Sequence, residues 1–352
     1  MIQRRHFISS IAAFCATSAS LSKLASATTV SGGLNWHCDV IETVAHNKSL
    51  RHPVVTGVGL QPNGSLLAIV GDDHYVGLFD TKQGRYIHHL NGHTDWVRTS
   101  KFSPDGSQLA TAGNDRELLI WNVGQWANPV ITQRHPEAII NCAYSHDGRH
   151  LATVGFESTL RVYETQTGSL IQKFNCPCPD NHAIAYSGDS KFLAAGGRCG
   201  TVRVWDMTTA KVAAQFKAHK KRIRSIEFTP DGKIVSASDD RIVQVTDPSN
   251  PKMAKSLPRH ASKLYSTAVL PNNMVAIGGS DNLIHVWDLN SLEEVGFLKG
   301  HTGTVSCLQY STGKLVSGSF DTRVRLWRTE SHTSVPVLQQ SQLKNGWSTR
   351  IN

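Results

Sequence analysis

A pattern of three short strands recurs seven times along the chain and constrains the fold more than any other feature. The clearest copy, residues 91–122, has an apolar strand ending at Phe102, a turn at 103–106, and two further strands ending at Gly113 and Asn122. Pro and Asp-Gly in its turns favour tight reversals, and no helical periodicity competes. The third strands end 40 to 42 residues apart, at Phe79, Trp121, Tyr163, Trp205, Thr246, Trp287 and Trp327. A period of roughly 40 to 45 residues is typical of four-stranded propeller blades, so the sequence predicts seven blades.

The residues at fixed positions of this repeat resemble those of the WD-repeat (Trp-Asp) β-propeller family. They are His93, Thr111, Asp115 and Trp121 in the clearest copy, with the Trp-Asp pair itself at 205–206 and 287–288. The resemblance covers roughly residues 40–327 and implies an all-β fold, a single seven-bladed β-propeller of four-stranded antiparallel blades. It also implies that the four side chains form a buried hydrogen-bonded network. Buried imidazole, carboxylate and indole groups are costly unless paired, which supports the same expectation.

Only the second and seventh blades carry all four residue types. The two complete sets are His93, Thr111, Asp115 and Trp121, and His301, Ser317, Asp321 and Trp327. Elsewhere the His position reads His52, His135, His219 and His260, the acidic position reads Asp73, Glu157, Asp240 and Asp281, and the hydroxyl position is lost at Ile69, Ala195 and Ile277. Ser, His and Asp together could suggest a catalytic triad, but the trio recurs in several blades. We therefore interpret it as structural and predict no catalytic residue.

The first 27 residues resemble a secretory signal peptide. Arg4 and Arg5 precede a stretch of apolar and small residues, the segment ends in Ala-Ser-Ala, and it contains no acidic residue. Residues 3–8 resemble the twin-arginine export signal of bacteria, which predicts a location in the periplasm or at the cell surface. A mitochondrial presequence is the alternative, because such segments are also rich in Arg and Ser.

The expected organisation is a signal peptide at 1–27, a linker at 28–38, the propeller at 39–330 and a C-terminal tail at 331–352. No other apolar run is long enough to span a bilayer, so we expect no membrane span after signal removal. One strand must join the ends of the ring, and 39–44 and 334–339 compete for that place. In the resembled family the N-terminal strand usually completes the last blade, which favours 39–44.

Blade four departs from the pattern through its cysteines. Cys176 and Cys178 stand where the other blades have His, and Cys199 stands where they have an acid. We predict a disulfide from Cys178 or Cys176 to Cys199, which would clamp the same two loops. Two alternatives stay open: three free thiols, or a zinc or copper site that adds His182. The short Cys-Pro-Cys spacing argues against a metal.

The loops that carry the His and acidic positions are where members of the resembled family commonly bind partners. The residues predicted to do so here are Trp96, Arg98, Phe156, Arg198, Arg222, Arg224, Lys263, Tyr265 and Phe320. Aromatic residues and Arg dominate interface energetics, and the basic character favours an acidic peptide or protein. The formal net charge is +9, or near +6 without the first 27 residues, and Arg and Lys are spread through the repeats with no long arginine run, which does not favour nucleic acid.

The function predicted from these features is a non-enzymatic scaffold that binds a protein or peptide and needs no cofactor or metal. The chain has no G-x-S-x-G, P-loop, H-E-x-x-H or Rossmann glycine motif. The alternative is a propeller enzyme or metal-binding protein with its site in the central channel. The scattered candidates for such a site are Asp72, Asp239 and His182.

Overall fold

The computed structural model describes residues 36–44 and 51–329. They form seven four-stranded sheets whose innermost strands surround a central channel. Within these residues the only helical segment is a 3-10 turn at Pro251–Met253. The predicted fold, an all-β seven-bladed propeller, is confirmed.

The strands of the first four blades follow one another from the channel outwards. Blade one contains β2 (Val55–Leu60), β3 (Leu66–Gly71), β4 (Val76–Asp80) and β5 (Arg85–Leu90). Blade two contains β6 (Val97–Phe102), β7 (Gln108–Gly113), β8 (Glu117–Asn122) and β9 (Ile131–Arg134). Blade three contains β10 (Ile139–Tyr144), β11 (His150–Gly155), β12 (Thr159–Glu164) and β13 (Leu170–Asn175). Blade four contains β14 (Asn181–Tyr186), β15 (Phe192–Gly197), β16 (Thr201–Asp206) and β17 (Lys211–Lys217).

The last three blades keep this order, and the seventh takes its outer strand from the start of the chain. Blade five contains β18 (Ile223–Phe228), β19 (Ile234–Ser238), β20 (Val243–Thr246) and β21 (Lys255–Ser256). Blade six contains β22 (Leu264–Leu270), β23 (Met274–Gly279), β24 (Ile284–Asp288) and β25 (Glu293–Leu298). Blade seven contains β26 (Val305–Ser311), β27 (Lys314–Ser319), β28 (Arg323–Thr329) and β1 (Trp36–Glu42).

The N-terminal strand closes the ring, as expected. β1 pairs antiparallel with β28, and Cys38 lies opposite Trp327. The strand begins at Trp36, so residues 36–38, predicted to belong to the linker, are part of the propeller. Trp36 and Cys38 are buried in the core between blades six and seven, which explains why pairing starts there. The predicted signal peptide, the competing segment at 334–339 and the predicted tail at 331–352 lie outside the described residues.

Burial falls from the middle strands to the rim of each blade. β7 is buried over its last five residues because both of its faces pack against neighbouring blades, whereas β13 is mostly exposed. One interblade core joins Ala110 and Leu118 of blade two to Ile139 of blade three. In the described part of the chain, no helix is long and apolar enough to cross a membrane.

Candidate partner-binding face

Blade two holds its loops through one continuous network. His93 lies 2.7 Å from Asp115 through Nδ1 and 2.9 Å from the Thr111 hydroxyl through Nε2. The Trp121 indole donates to the same hydroxyl at 3.0 Å, and Asp115 also accepts the backbone N–H of Thr94 at 3.1 Å. Burial alone would raise the pKa of Asp115, but the hydrogen bonds from His93 and from backbone N–H groups hold it below its ordinary value. The network therefore fixes both loops at one edge of the blade.

Blade seven repeats this arrangement. His301 lies 2.9 Å from Asp321 through Nδ1 and 2.7 Å from the Ser317 hydroxyl through Nε2. Trp327 donates its indole N–H to Ser317 at 2.9 Å. All four side chains come from positions that the sequence brings into register, so the local repeat is enough to place them together.

Blade five keeps three of the four partners. His219 lies 2.8 Å from Ser236 and 3.2 Å from Asp240. Burial opposes ionisation of Asp240, but hydrogen bonds and charge from His219 lower its pKa to about 2. Thr246 stands in the Trp position, and its hydroxyl is buried without a partner among the residues that the structure describes.

Blade three connects its residues differently from blade two. His135 reaches the Tyr163 hydroxyl at 2.8 Å, and its other ring nitrogen is 3.6 Å from Glu157, which forms an ion pair with Arg161. The Thr153 hydroxyl, at the position equivalent to Thr111, is buried and has no partner within 36–44 and 51–329. The sequence reasoning did not identify Tyr163 as a member of the network. The presence of a phenol at the Trp position could have indicated this role.

Blade six lacks the hydroxyl because Ile277 takes its place. The Nε2 atom of His260 and the Nε1 atom of Trp287 are consequently buried with no hydrogen-bond partner in the described part of the chain. Burial and the adjacent His285 lower the pKa of His260 to about 4. Asp281 pairs instead with His285, whose Nε2 lies 3.0 Å away. Sequence reasoning missed His285, which lies directly opposite Ile277 across the strand pair.

In blade one the carboxylate that holds a loop is Asp72, whereas Asp73 was predicted for the acidic position. His52 donates to the carbonyl oxygen of Thr43, and Asp72 forms an ion pair with Arg51. Asp73, predicted for the acidic position, has its pKa raised chiefly by burial. Asp72, a scattered candidate for a channel site, is therefore already engaged in holding a loop.

Blade four replaces the network with a covalent bond. Cys178 and Cys199 form a disulfide with Cα atoms 6.0 Å apart, whereas Cys176 is a buried free thiol. Asn181 fastens the same loop by donating to the carbonyl oxygens of Cys178 and Glu157, each at 2.9 Å. Among the described residues, no group of three His, Cys, Asp or Glu side chains is arranged to hold a metal ion.

The loops secured in this way surround one mouth of a central channel of about 690 Å³. Each innermost strand starts where the second strand of its sheet ends, so both loops lie at the same edge. Six residues at this end of the blades line the channel. Phe156 and Phe320 come from the loops, whereas Arg98, His182, Arg224 and Tyr265 are the second residues of innermost strands. Trp96 adjoins them through Arg98, whose guanidinium lies 4.8 Å from the centre of the Trp96 ring. We call these seven residues the rim.

Three aromatic residues of the rim are strongly exposed. Trp96, Phe156 and Phe320 have 40%, 46% and 49% of their surface accessible. Arg198, Arg222 and Lys263, also predicted to bind a partner, do not line the channel; Arg198 and Lys263 are exposed, and Arg222 is half-buried. The structure therefore brings together most of the predicted residues and leaves these three at the periphery.

Ion pairs reduce the positive charge that the sequence suggested for this face. Arg224 binds Asp239 through two nitrogens, at 2.9 and 3.1 Å, and lies 5.2 Å from the centre of the Tyr265 ring. Arg222 reaches Asp180 at 2.5 Å. Arg98 differs, because it donates to the neutral Asn114 amide at 2.8 Å and forms no ion pair in the described ranges.

His182 is the rim residue with the most perturbed pKa. Burial and the nearby Arg224 lower the pKa of His182 to about 4, although its Nε2 atom is 2.6 Å from Asp180. The ring contacts Phe156 edge to face, with centroids 6.0 Å apart. At neutral pH His182 therefore contributes an uncharged, largely buried ring to the channel mouth.

Six segments match the family model described as WD domain, G-beta repeat, and together they cover more than half of the chain. They are residues 84–122, 128–164, 170–206, 210–247, 251–288 and 292–328. The structure adds one further blade at the start of the ring, in which Phe79 stands in the Trp position and Ile69 in the hydroxyl position.

The curated relatives share a much shorter stretch. Mitochondrial division protein 1 of Mycosarcoma maydis is 51% identical over 41 residues, which cover 12% of this chain and 5% of that protein. The protein of the same name from Aspergillus clavatus is 42% identical over 50 residues, 14% of this chain and 8% of that protein. That from Schizosaccharomyces pombe is 41% identical over 54 residues, again 14% and 8%. The matched stretches cover less than a tenth of these relatives and are little longer than one repeat.

Proposed function

Because the chain belongs to the WD40 repeat family, we propose that it is a non-enzymatic scaffold that binds a protein or peptide on the rim. The observation that carries this proposal is the grouping of exposed Trp96, Phe156 and Phe320 around one channel mouth. Large exposed aromatic side chains on a rigid frame are the usual anchors of protein interfaces. The networks behind the loops supply that rigidity, so little conformational entropy is lost on binding.

The chemistry of the rim favours a partner segment with an acidic residue beside an apolar one. Arg98 is held flat against Trp96 and has no carboxylate partner in the described residues, so it can accept one from a ligand. Arg222 and Arg224 are already paired with Asp180 and Asp239. A single acidic side chain near Arg98 therefore suits this surface better than a highly charged polymer.

The alternative of an enzyme in the channel has less support. Asp72 and Asp239 are each paired with an arginine, and His182 faces Asp180. None of the three is arranged with a nucleophile and an oxyanion donor, as catalysis would require. These contacts favour a structural role for all three.

The test is affinity capture from the native compartment followed by titration calorimetry with the partner identified. The rim variant combines Trp96→Ala, Phe156→Ala and Phe320→Ala. The matched control combines Leu170→Ala, Ile171→Ala and Val212→Ala, whose exposures of 42%, 47% and 51% are similar but which lie on outer strands.

We expect the rim variant to lose at least about 30-fold in affinity, since one interface anchor contributes about 2 kcal/mol or more. The control should bind as the wild type does. Equal binding by both variants would remove the rim from consideration and direct attention to the blade edges.

The cellular location is part of the same proposal. The twin arginines at 4 and 5 support export to the periplasm or cell surface, whereas the name of the fungal relatives supports the mitochondrial alternative. A fusion of residues 1–27 to a reporter distinguishes them when Arg4 and Arg5 are both changed to Lys. Export should be lost, because that route depends on the arginines, whereas import that persists with two lysines would support a mitochondrial presequence.

A further inference from the structure

In the part of the chain that the structure describes, blade four is the one blade whose two loops at the channel mouth are joined by a disulfide. Cys178 and Cys199 are both partly accessible to solvent, in contrast to the buried Cys176. We propose that Cys178–Cys199 is a thiol-exchange site, at which a dithiol reductant opens the disulfide and frees the rim loop that carries Asp180. The regulation of partner binding that follows rests on the proposed function, whereas the loosening of the loop does not.

Short contacts connect the disulfide to the rim. Asp180 is two residues from Cys178, and its backbone carbonyl accepts the N–H of Arg198 at 2.9 Å. Its carboxylate lies 2.5 Å from Arg222 and 2.6 Å from His182, which lines the channel mouth. Movement of this loop would therefore alter both the charge pairing and the ring packing of the proposed binding face.

In the described residues of this blade, no His–Asp–hydroxyl network supports the two loops beside the disulfide. Blades two, five and seven join the equivalent loops through a His that contacts an Asp with one ring nitrogen and a hydroxyl with the other. Blade four has Ala195 at the hydroxyl position and cysteines at the other two. Reduction would leave the backbone ladder and Asn181 as the local constraints, so local opening should become easier there than in any intact blade.

The surroundings favour attack by an anionic thiolate at Cys199. Arg198 is exposed beside it, and the Lys217 ammonium contacts the Cys199 carbonyl oxygen. Cationic surroundings attract and stabilise thiolates. The Cys199 N–H lies 3.2 Å from Cys178 Sγ, so it can stabilise Cys178 as the departing thiolate.

The other thiols of the described residues do not compete for this exchange. Burial raises the pKa of Cys176 to about 12 and the pKa values of Cys142 and Cys307 to about 11, and it also raises the pKa of Cys38. Since the thiolate is the reactive form, these four are inert at neutral pH. The reaction is thus confined to one bond.

The exchange proceeds in two steps. A thiolate of the reductant attacks Cys199 Sγ, the Cys178–Cys199 bond breaks, and Cys178 leaves as a thiolate that takes up a proton. The second thiol of the reductant, as a thiolate, then attacks the reductant sulfur that is bonded to Cys199 in the mixed disulfide. The bond to Cys199 breaks, and Cys199 leaves as a thiolate that takes up a proton. The protein gains two electrons and two protons, and the dithiol becomes a disulfide.

Hydrogen exchange of the full-length protein tests the loosening directly, before and after reduction by dithiothreitol under native conditions. We expect the amides of Arg198 and Cys199 to exchange at least tenfold faster in the reduced protein. The amide of Thr302, held by Asp321 in the intact network of blade seven, should not change. Alkylation and mass spectrometry should find Cys178 and Cys199 modified together. Unchanged exchange at Arg198 and Cys199 after complete reduction would overturn the proposal.

Two sets of variants keep the test from depending on chemical reduction alone. Cys178→Ser with Cys199→Ser should show the fast exchange without reductant, whereas Cys307→Ala in blade seven should not. Arg198→Ala with Lys217→Ala should slow reduction by glutathione, whose thiolate form carries a net charge of about −2, at least threefold. Reduction by 2-mercaptoethanol, whose thiolate carries a single negative charge, should slow by less. Lys211→Ala, at the far end of the same strand as Lys217, is the matched control. Equal slowing with both thiols would overturn the assigned role of the cations.

The partner assay separates this proposal from the proposed function. Faster exchange together with weaker partner binding in the reduced protein supports both. Faster exchange with unchanged binding supports the thiol-exchange site and contradicts binding at the rim.

Discussion

Blades two and three both carry a His, a Thr and a carboxylate at equivalent positions, yet they use them differently. In blade two the Thr111 hydroxyl joins His93 to Trp121. In blade three His135 bypasses the equivalent Thr153 and pairs with the Tyr163 hydroxyl at 2.8 Å. An indole N–H can only donate and needs an acceptor, whereas a phenol can pair with the imidazole itself. The aromatic residue on the third strand therefore decides whether the hydroxyl on the second strand is used.

The largest effect should come from the same substitution made at the two threonines. Thr111→Val keeps the side-chain shape but leaves His93 and Trp121 without their shared partner, which should lower the free energy of unfolding by about 2–4 kcal/mol. Thr153→Val removes a hydroxyl that has no partner in the described chain, so its cost should lie within about 0.5 kcal/mol of zero. Urea denaturation measures both. Equal costs would show that the two networks are not distinct.

A smaller effect is expected from removing the phenol of blade three. Tyr163→Phe deprives His135 of its hydrogen bond at 2.8 Å and should cost about 1–2 kcal/mol in unfolding free energy. Tyr186→Phe is the matched control, because the Tyr186 hydroxyl is buried without a partner in the part of the chain that is described. Similar values for the two variants would contradict the role assigned to Tyr163.

The smallest effect concerns pH. Burial and Arg161 lower the pKa of His135, so below about pH 6.5 the unfolded chain binds more protons than the folded one. This contribution to stability is present above that pH and declines as the pH falls. The lowered pKa of Asp115 acts later, because its contribution is present above about pH 4 and is lost only below it.

Urea midpoints measured between pH 7.5 and 3 separate these two contributions. His135→Gln should reduce the loss of stability between about pH 6.5 and 5, where Asp115→Asn should leave the slope unchanged. Asp115→Asn should flatten the profile only below about pH 4. If His135→Gln left the loss of stability between about pH 6.5 and 5 unchanged, a group other than His135 would dominate that pH range.

The sequence placed the networks but did not reveal all of their members. Register along the repeat brought His301, Ser317 and Asp321 together, because each lies at a fixed distance from a turn. It missed the roles of Tyr163 and His285, since these depend on which of several nearby polar atoms lies within hydrogen-bonding distance. Which of these atoms form a hydrogen bond depends on differences of less than about 1 Å in side-chain position. The spacing of residues along the sequence does not determine such distances.

The seven blades and the all-β fold follow from the sequence by itself, because alternating burial and turn chemistry are local and repeat with the chain. The closing N-terminal strand was expected from the family resemblance, since 334–339 competed for the same place. Only the tertiary structure decided the electrostatics of the rim. Arg222 and Asp180 are 42 residues apart in the chain but 2.5 Å apart in space, so the charge of one arginine predicted to bind a partner is neutralised beside the rim. Pairing between neighbouring blades depends on how sheets pack around the channel, which is a property of the closed ring and not of any one repeat.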